Sequence, residues 1–419
     1  MSNSPCCASA YRGRGGATTD RGRQLGEIRP ITSLRFVAAF VVFLFHIHIR
    51  WPLSGSTSAN AVLSQGAIGM SLFFVLSGFV LTYRYYDTTD FDRYRVHRVS
   101  RIVPVYMFAA LITLPWLVGA LDHPTPAIGA LSYALLALLD LTFMQAWFPQ
   151  TFDYWNNGAS WSISVEAFFY ALFPLILVRL RQFKDGDLAK VCAIAWVLAV
   201  LPGATYALLP QKPSFTLFYT MPIFRLPEFI VGMIAGLCFM RGRVVLKHPT
   251  TAIVVAVVAL LVYLVTWGRA LPTFVFVVHN WIAVPVIAIT ILASAQLSSG
   301  WLYRVLCHPV PVYLGRISYS FYSVQAFVLF MLIDHHQGIV TALPSLANPL
   351  LFGTFALFAL LALSMLCYHV VEEPARRFIS GRYARTPRPP KQHDVSSSRD
   401  SLTSLTNPSR QRRERTPDG

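Results

Sequence analysis

Apolar runs longer than about 18 residues recur along this chain from residue 30 to residue 371, and each is long enough to cross a bilayer as one helix. With 55% hydrophobic and only 13% charged residues in 419, there is far more apolar surface than one soluble core can bury. Candidate spans fall at about 30–50, 66–85, 102–121, 128–147, 160–179, 189–209, 222–240, 250–267, 275–296, 314–333 and 349–371. The Lys/Arg bias places 84–101, 179–190, 241–247 and the tail after Arg376 on the cytoplasmic side, so both termini are expected inside. Two inside termini require an even number of crossings, and the parity fails only over 102–148. Asp122, His123, Pro124 and Pro126 interrupt that region. The fold class expected is therefore all-α, a polytopic transmembrane helical bundle of about ten spans plus one re-entrant or broken segment.

The net charge of +16 does not point to nucleic acid, because much of the Arg lies in two polar tails. Arg12, Arg14, Arg21 and Arg23 crowd residues 1–28, and Ser, Pro and Arg dominate 379–419. Such tails are topogenic and attracted to anionic lipid. The division expected is a cytoplasmic tail over 1–28, a membrane domain over 29–378 and a second cytoplasmic tail over 379–419. The polar start is too long for a simple signal peptide, so the first span is expected to act as an uncleaved anchor. Six cysteines show neither metal-ligand spacing nor a disulfide framework, and no metal site is expected.

Within the first span, ITSLRFVAAFVVFLFH at 31–46, a charge and a titratable ring lie at bilayer depth, where both are costly enough to need a reason. Eleven residues of helix bring Arg35 and His46 within about 20° of one face and about 16 Å apart along the axis. A basic group low on a stripe and a proton acceptor three turns above it suit a long ligand with an anionic head and a reactive end.

Further stretches, taken in order, resemble the integral-membrane acyltransferase family 3, whose members O-acylate bacterial surface sugars and some small hydroxylated metabolites. The Arg-x10-His run is similar to its N-terminal signature. GMSLFFVLSGFVL at 69–81 resembles its second helix, and RVSRIVP at 98–104 its basic loop before the third. SWSISVEAFFYALFP at 160–174, RLPEFIVGMIAG at 225–236, LGRISYSFYSVQ at 314–325 and VEEPARR at 371–377 resemble its later segments. The likeness covers roughly residues 30–378. It departs at Gln325, a position often His in the family, and no extracytoplasmic hydrolase-like domain follows the last span, which suggests a stand-alone transferase.

The resemblance implies an O-acyltransferase of the bacterial inner membrane. It would take an acyl group, acetyl first of all, from cytoplasmic acyl-CoA and place it on a hydroxyl of a glycan or lipid-linked sugar. No permanently bound cofactor is implied; acyl-CoA is a co-substrate. On that reading His46 is the general base and Glu166 orients its ring. Arg35, Arg98 and Arg101 hold the donor: Arg98 and Arg101 dock its phosphates, since guanidinium forks match phosphate oxygens, and the pantetheine arm passes Arg35. Ser160, Trp161, Ser162, Ser164 and Tyr319 would line the acceptor site. Each has a plainer alternative: a histidine bonded within the bundle, a carboxylate paired with Arg, an ordinary basic loop, a tryptophan of the interfacial belt. Arg225 and Glu228, three apart, read first as partners of each other. The outer loops 51–65, 148–160, 210–221, 268–275 and 334–348 would recognise the acceptor. Three rival functions remain open: acylation of a small metabolite such as a macrolide, a transporter or flippase built from the same buried charges, and an inactive scaffold.

Overall fold

The computed structural model describes residues 26–117, 126–209, 211, 214–267 and 276–385. Most of both tails, the loop 268–275, part of 210–221 and Asp122 to Pro124 lie outside the described residues. The helices run in order: α1 (Arg29–Arg50), α2 (Thr57–Leu63), α3 (Gly69–Tyr85), α4 (Phe91–Ile112), α5 (Pro126–Leu141), α6 (Asn157–Gln182), α7 (Asp185–Leu208), α8 (Phe215–Thr220) and α9 (Pro222–Met240). The second half follows with α10 (Pro249–Trp267), α11 (Asn280–Ala295), α12 (Gly300–Leu306), α13 (Pro309–Ser323), α14 (Gln325–Asp334), α15 (His336–Ala342), α16 (Pro349–Cys367) and α17 (Glu373–Arg385). Among the described residues there is no strand, and the chain is an all-α membrane bundle.

Among the described residues seven helices are long and apolar enough to cross a membrane, and up to nine if each bent pair, α11 with α12 and α13 with α14, is one span. These nine match nine of the eleven apolar segments. The other two are α4 and α5, the region where the parity failed. α4 has 22 residues, but its first half carries Arg93, Arg95, Arg98 and Arg101. α5 has 16, a rise of about 24 Å, shorter than a hydrocarbon core of about 30 Å. The ten crossings expected from sequence thus become seven to nine by length and composition, and a tenth requires α4 to cross with its basic turns in the headgroup region.

Helix ends follow local chemistry. Proline occupies the first turn of α1, α9, α13 and α16, where no amide partner is lost. The Asp90 side chain accepts from Arg93 N to cap α4, and Asn348 accepts from Leu350 N and Leu351 N to cap α16. At the centre α3 lies along α9 and α1 along α13. Glycine makes the first crossing possible: a Cβ on Gly78 would strike the Phe229 carbonyl, and one on Gly232 the Val75 carbonyl. Such backbone approach is how helices gain packing energy where lipid offers no hydrophobic driving force between them. Around this core α10 leaves Val255, Val258 and Val262 exposed, the surface lipid covers. Helix α1, buried between neighbours, carries both Arg35 and His46 through the middle of the bundle.

Candidate active site

Three cavities follow one another along α1. The first, about 460 Å³, opens at the N-terminal end of α1 and is lined by Arg35, Arg84, Arg93, Arg98, Arg101, Arg316 and Arg376 together with Glu27, Tyr368 and Glu372. The second is a waist of about 60 Å³ that shares Arg35, Arg98 and Arg101 with the first and adds Glu166, Tyr170, Ser162, Tyr319 and Tyr322. The third, about 380 Å³, lies toward the C-terminal end of α1 and shares Met70 and Tyr322 with the waist. His46 stands in its wall with Arg50, Asp153, Trp155, Trp161 and Tyr219.

The arginines of the first two cavities are unequally occupied. The Arg98 guanidinium lies over the Tyr85 and Tyr170 rings, 5.7 and 5.8 Å from their centroids, and its buried Nε has no hydrogen-bond partner. Arg35 and Arg101 make no ion pair among the described residues, although Glu166 and Glu372 lie within their electrostatic range. Arg316 pairs with Glu27 at 2.7 Å. Burial alone would raise the Glu27 carboxyl, but hydrogen bonds from Arg316 and Thr32 outweigh it and hold it below the ordinary value. Arg376 pairs with Glu373 at 2.6 Å, whereas Arg35, Arg98 and Arg101 converge without a salt bridge among the described residues, an arrangement suited to an anion with more than one charge. Arg84, Arg93, Arg316, Glu372 and Arg376, not among the site residues expected from sequence, come from three separate stretches, 84–93, 316 and 372–376, that meet only in the folded bundle.

The structure separates Glu166 from His46. Glu166 Oε2 accepts from the Tyr170 hydroxyl at 3.0 Å and stands among Arg35, Arg98 and Arg101 in the waist. His46 instead has its Nδ1 2.6 Å from Gln325 Nε2. The expected orienting pair is therefore not formed: Glu166 and the cluster it serves lie on the Arg-rich side of the Met70–Tyr322 junction, with His46 beyond it. The spacing of Glu166 and Tyr170, four apart on α6, was a signal that their side chains would meet.

The serines of α6 also part company, because alternate positions on a helix face different ways. Ser162 reaches the waist, where its hydroxyl lies 2.6 Å from that of Tyr322, which itself donates to Ala159 O at 3.0 Å. Ser160 points away and donates to Asp140 Oδ1 at 2.8 Å, in a buried cluster with Gln145 and Tyr106 that ties the end of α5 to α6. Ser164 donates to Phe143 O. Neither Ser160 nor Ser164 lines any of these three cavities, and both hydroxyls are engaged elsewhere, against their expected contact with acceptor. Trp161 does line the third cavity, its ring 4.5 Å from that of Tyr219. Tyr319 presents its ring to the waist, while its hydroxyl is spent on Ile102 O. Arg225 and Glu228 form a buried pair at 2.9 Å, extended by Ser71 and Asn280, and act structurally.

Among the described residues no cluster of His, Cys, Asp and Glu could hold a metal ion. The cavities suit three tasks for their own side chains: binding a polyanion at one end, passing a slender chain through a polar waist, and offering an imidazole at the other.

Known acyltransferases resemble this chain over most of its length. A family model described as "Acyltransferase domain" matches residues 30–369. "Acyltransferase MdmB" of Streptomyces mycarofaciens is 28% identical over 376 residues, which cover 85% of this chain and 93% of that protein. A Staphylococcus aureus (strain COL) protein, whose name as an O-acetyltransferase is itself provisional, is 22% identical over 391 residues; the match covers 85% of this chain but only 58% of that one. "O-acetyltransferase OatA" of Staphylococcus aureus (strain NCTC 8325 / PS 47) matches over 185 residues at 25% identity, 41% of this chain and 28% of its own. The chain thus spans nearly all of the first relative and little more than half of the second. No solved structure matches significantly.

Proposed function

This chain belongs to the integral-membrane acyltransferase family 3, and from that premise we propose that it moves an acyl group, acetyl first of all, from cytoplasmic acyl-CoA to a hydroxyl of a glycan or lipid-linked sugar. The observation that carries the reading is the succession of cavities from an arginine cluster to His46 along one buried helix. The nucleotide phosphates of the donor rest on Arg98, Arg101 and their neighbours, Arg35 marks the entry to the waist, and the pantetheine arm carries the thioester toward Tyr322 and His46. In this reading the Arg-rich end faces the cytoplasm of a bacterial inner membrane, with both termini inside, and the acceptor arrives from the other face.

Transfer then follows simple chemistry. A nitrogen of His46 takes the proton of the acceptor hydroxyl as its oxygen attacks the thioester carbonyl. The C–S bond breaks, the thiolate leaves with the electron pair, and it recovers the proton from the imidazolium, giving an ester and free CoA thiol. To stabilise the developing oxyanion, Ser162 or Tyr322 at the waist turns its hydroxyl from its present acceptor, the Tyr322 oxygen or Ala159 O respectively. The third cavity has an aromatic wall, with Phe45, Phe152, Trp155, Trp161 and Phe215. That wall favours a second acceptor class on the same chemistry, a small hydroxylated metabolite with an apolar body.

Inverted membrane vesicles supplied with acetyl-labelled CoA test the reading. Label is expected in a sugar-containing or small-molecule fraction with the wild type and not with His46→Ala. The fraction that acquires it identifies the acceptor class. Substrate movement without consumption of acyl-CoA would overturn the proposal in favour of a transporter.

A further inference from the structure

His46 is placed for catalysis only if the correct ring nitrogen is free, and the surroundings of the ring bear on which one that is. The ring's hydrogen-bond partner among the described residues is the Gln325 side chain, whose Nε2 lies 2.6 Å from His46 Nδ1. Gln325 is 2% exposed and opens α14 at the break where α13 and α14 bend by 56°, so the backbone holds the amide against the ring. The other end of the amide, Oε1, is buried with no hydrogen-bond partner. A buried carbonyl oxygen left unpaired is unfavourable by the desolvation it has lost. Here it also means that, among the described residues, no hydrogen bond locks which end of the amide faces the ring.

The two ends set opposite tautomers. With the NH2 toward Nδ1, that nitrogen accepts, the proton sits on His46 Nε2, and the ring offers the third cavity a donor. A half-turn of the amide brings Oε1 to Nδ1, which must then carry the hydrogen, and His46 Nε2 becomes a free lone pair. Once that lone pair has taken a proton both ring nitrogens donate, and only the oxygen-facing amide can satisfy Nδ1–H.

We infer that Gln325 is the positioning residue of the catalytic imidazole: its amide oxygen selects the base-competent tautomer of His46 and holds the imidazolium during transfer, the part first expected of Glu166. This rests on the reading of His46 as the general base. Because the partner is neutral, it orients the ring without the rise in basicity that a carboxylate would impose. The charged and titratable groups that share the cavity wall with His46 are Arg50 of α1, Asp153 of the 148–156 segment, Tyr219 of α8 and Tyr322 of α13. None of them is a hydrogen-bond partner of the ring among the described residues.

The test uses the full-length protein in membrane vesicles and compares wild type with His46→Ala, Gln325→Met and Gln325→Glu. Gln325→Met keeps the side-chain bulk and removes the amide. It should lower kcat about tenfold or more with the acyl-CoA KM unchanged, and selectively labelled histidine should show His46 losing its Nδ1–H form. Gln325→Glu restores an acceptor and should recover most of the activity. A charge beside the ring should also move the acidic limb of the pH–rate profile upward by about one unit. A Gln325→Met variant with wild-type kcat and pH profile, beside an inactive His46→Ala, overturns the positioning role alone. Equal loss in both Gln325 variants with an unmoved limb also overturns it, as a mere packing defect. Full activity in His46→Ala would instead remove the base on which the inference stands, and the two failures are thus distinguished.

Discussion

At the scale of single residues the account gives His46 and Glu166 different tasks, and the difference is measurable. Loss of a general base removes about 10²–10⁴-fold in rate, so His46→Ala should reduce kcat by that range while acyl-CoA still binds. Glu166→Gln touches the Arg35, Arg98 and Arg101 cluster and the Tyr170 hydroxyl instead. It should change the acyl-CoA KM and leave the pH–rate profile of kcat in place; a profile shifted by Glu166→Gln would return that residue to the imidazole. The pair of Glu27 with Arg316 offers a pH prediction outside the membrane-spanning segments. The folded carboxyl titrates below its ordinary 4.5, so the tether contributes at higher pH and is lost as pH falls through the lowered value. Both side chains are more than a third exposed, and screening keeps the contribution small. Protection of the amides near residues 27–32, taken relative to the intrinsic exchange rate at each pH, should fall at acid pH in the wild type and be low at every pH in Glu27→Gln.

At the scale of helices the prediction concerns the α3–α9 crossing. A methyl at Gly78 or Gly232 must push backbone from backbone, so Gly78→Ala or Gly232→Ala should destabilise the bundle by about 1–3 kcal/mol and lower its melting temperature in detergent. Gly338→Ala, which meets open space, serves as the control. The helices themselves were legible because apolar runs of membrane length leave the chain few alternatives, and nine of the eleven segments fell where expected. α4 and α5 were not resolved by the same reasoning. Three of the four arginines in the first half of α4, Arg93, Arg98 and Arg101, line a cavity, and hydropathy counts them only as a break. The serines of α6 show the same limit. The motif marked the segment, but which of Ser160, Ser162 and Ser164 faces a cavity depends on the neighbours of α6, and only Ser162 does. Gln325 was visible as a departure, while its contact with His46 spans most of the chain and had no local signal.

At the scale of the whole molecule the bundle joins two openings that differ in chemistry, one rich in arginine and one walled by aromatic rings, through a waist of about 60 Å³ at Met70 and Tyr322. A narrow waist admits a slender arm and excludes a nucleotide or a sugar, so in the proposed function donor and acceptor meet without sharing an entrance. Filling it should separate binding from transfer: Met70→Trp is expected to keep acyl-CoA binding within about threefold and to abolish ester formation, read by binding of labelled donor beside product formation. The central claim, that acyl-CoA enters at the Arg-rich end and is used at His46, is tested most directly by vesicle sidedness. Sealed inverted and right-side-out vesicles are given acetyl-labelled CoA on the outside, with wild type or His46→Ala, and incorporation into acceptor is measured. The account predicts labelling only in inverted wild-type vesicles; equal labelling from both sides, or labelling that survives His46→Ala, would contradict it.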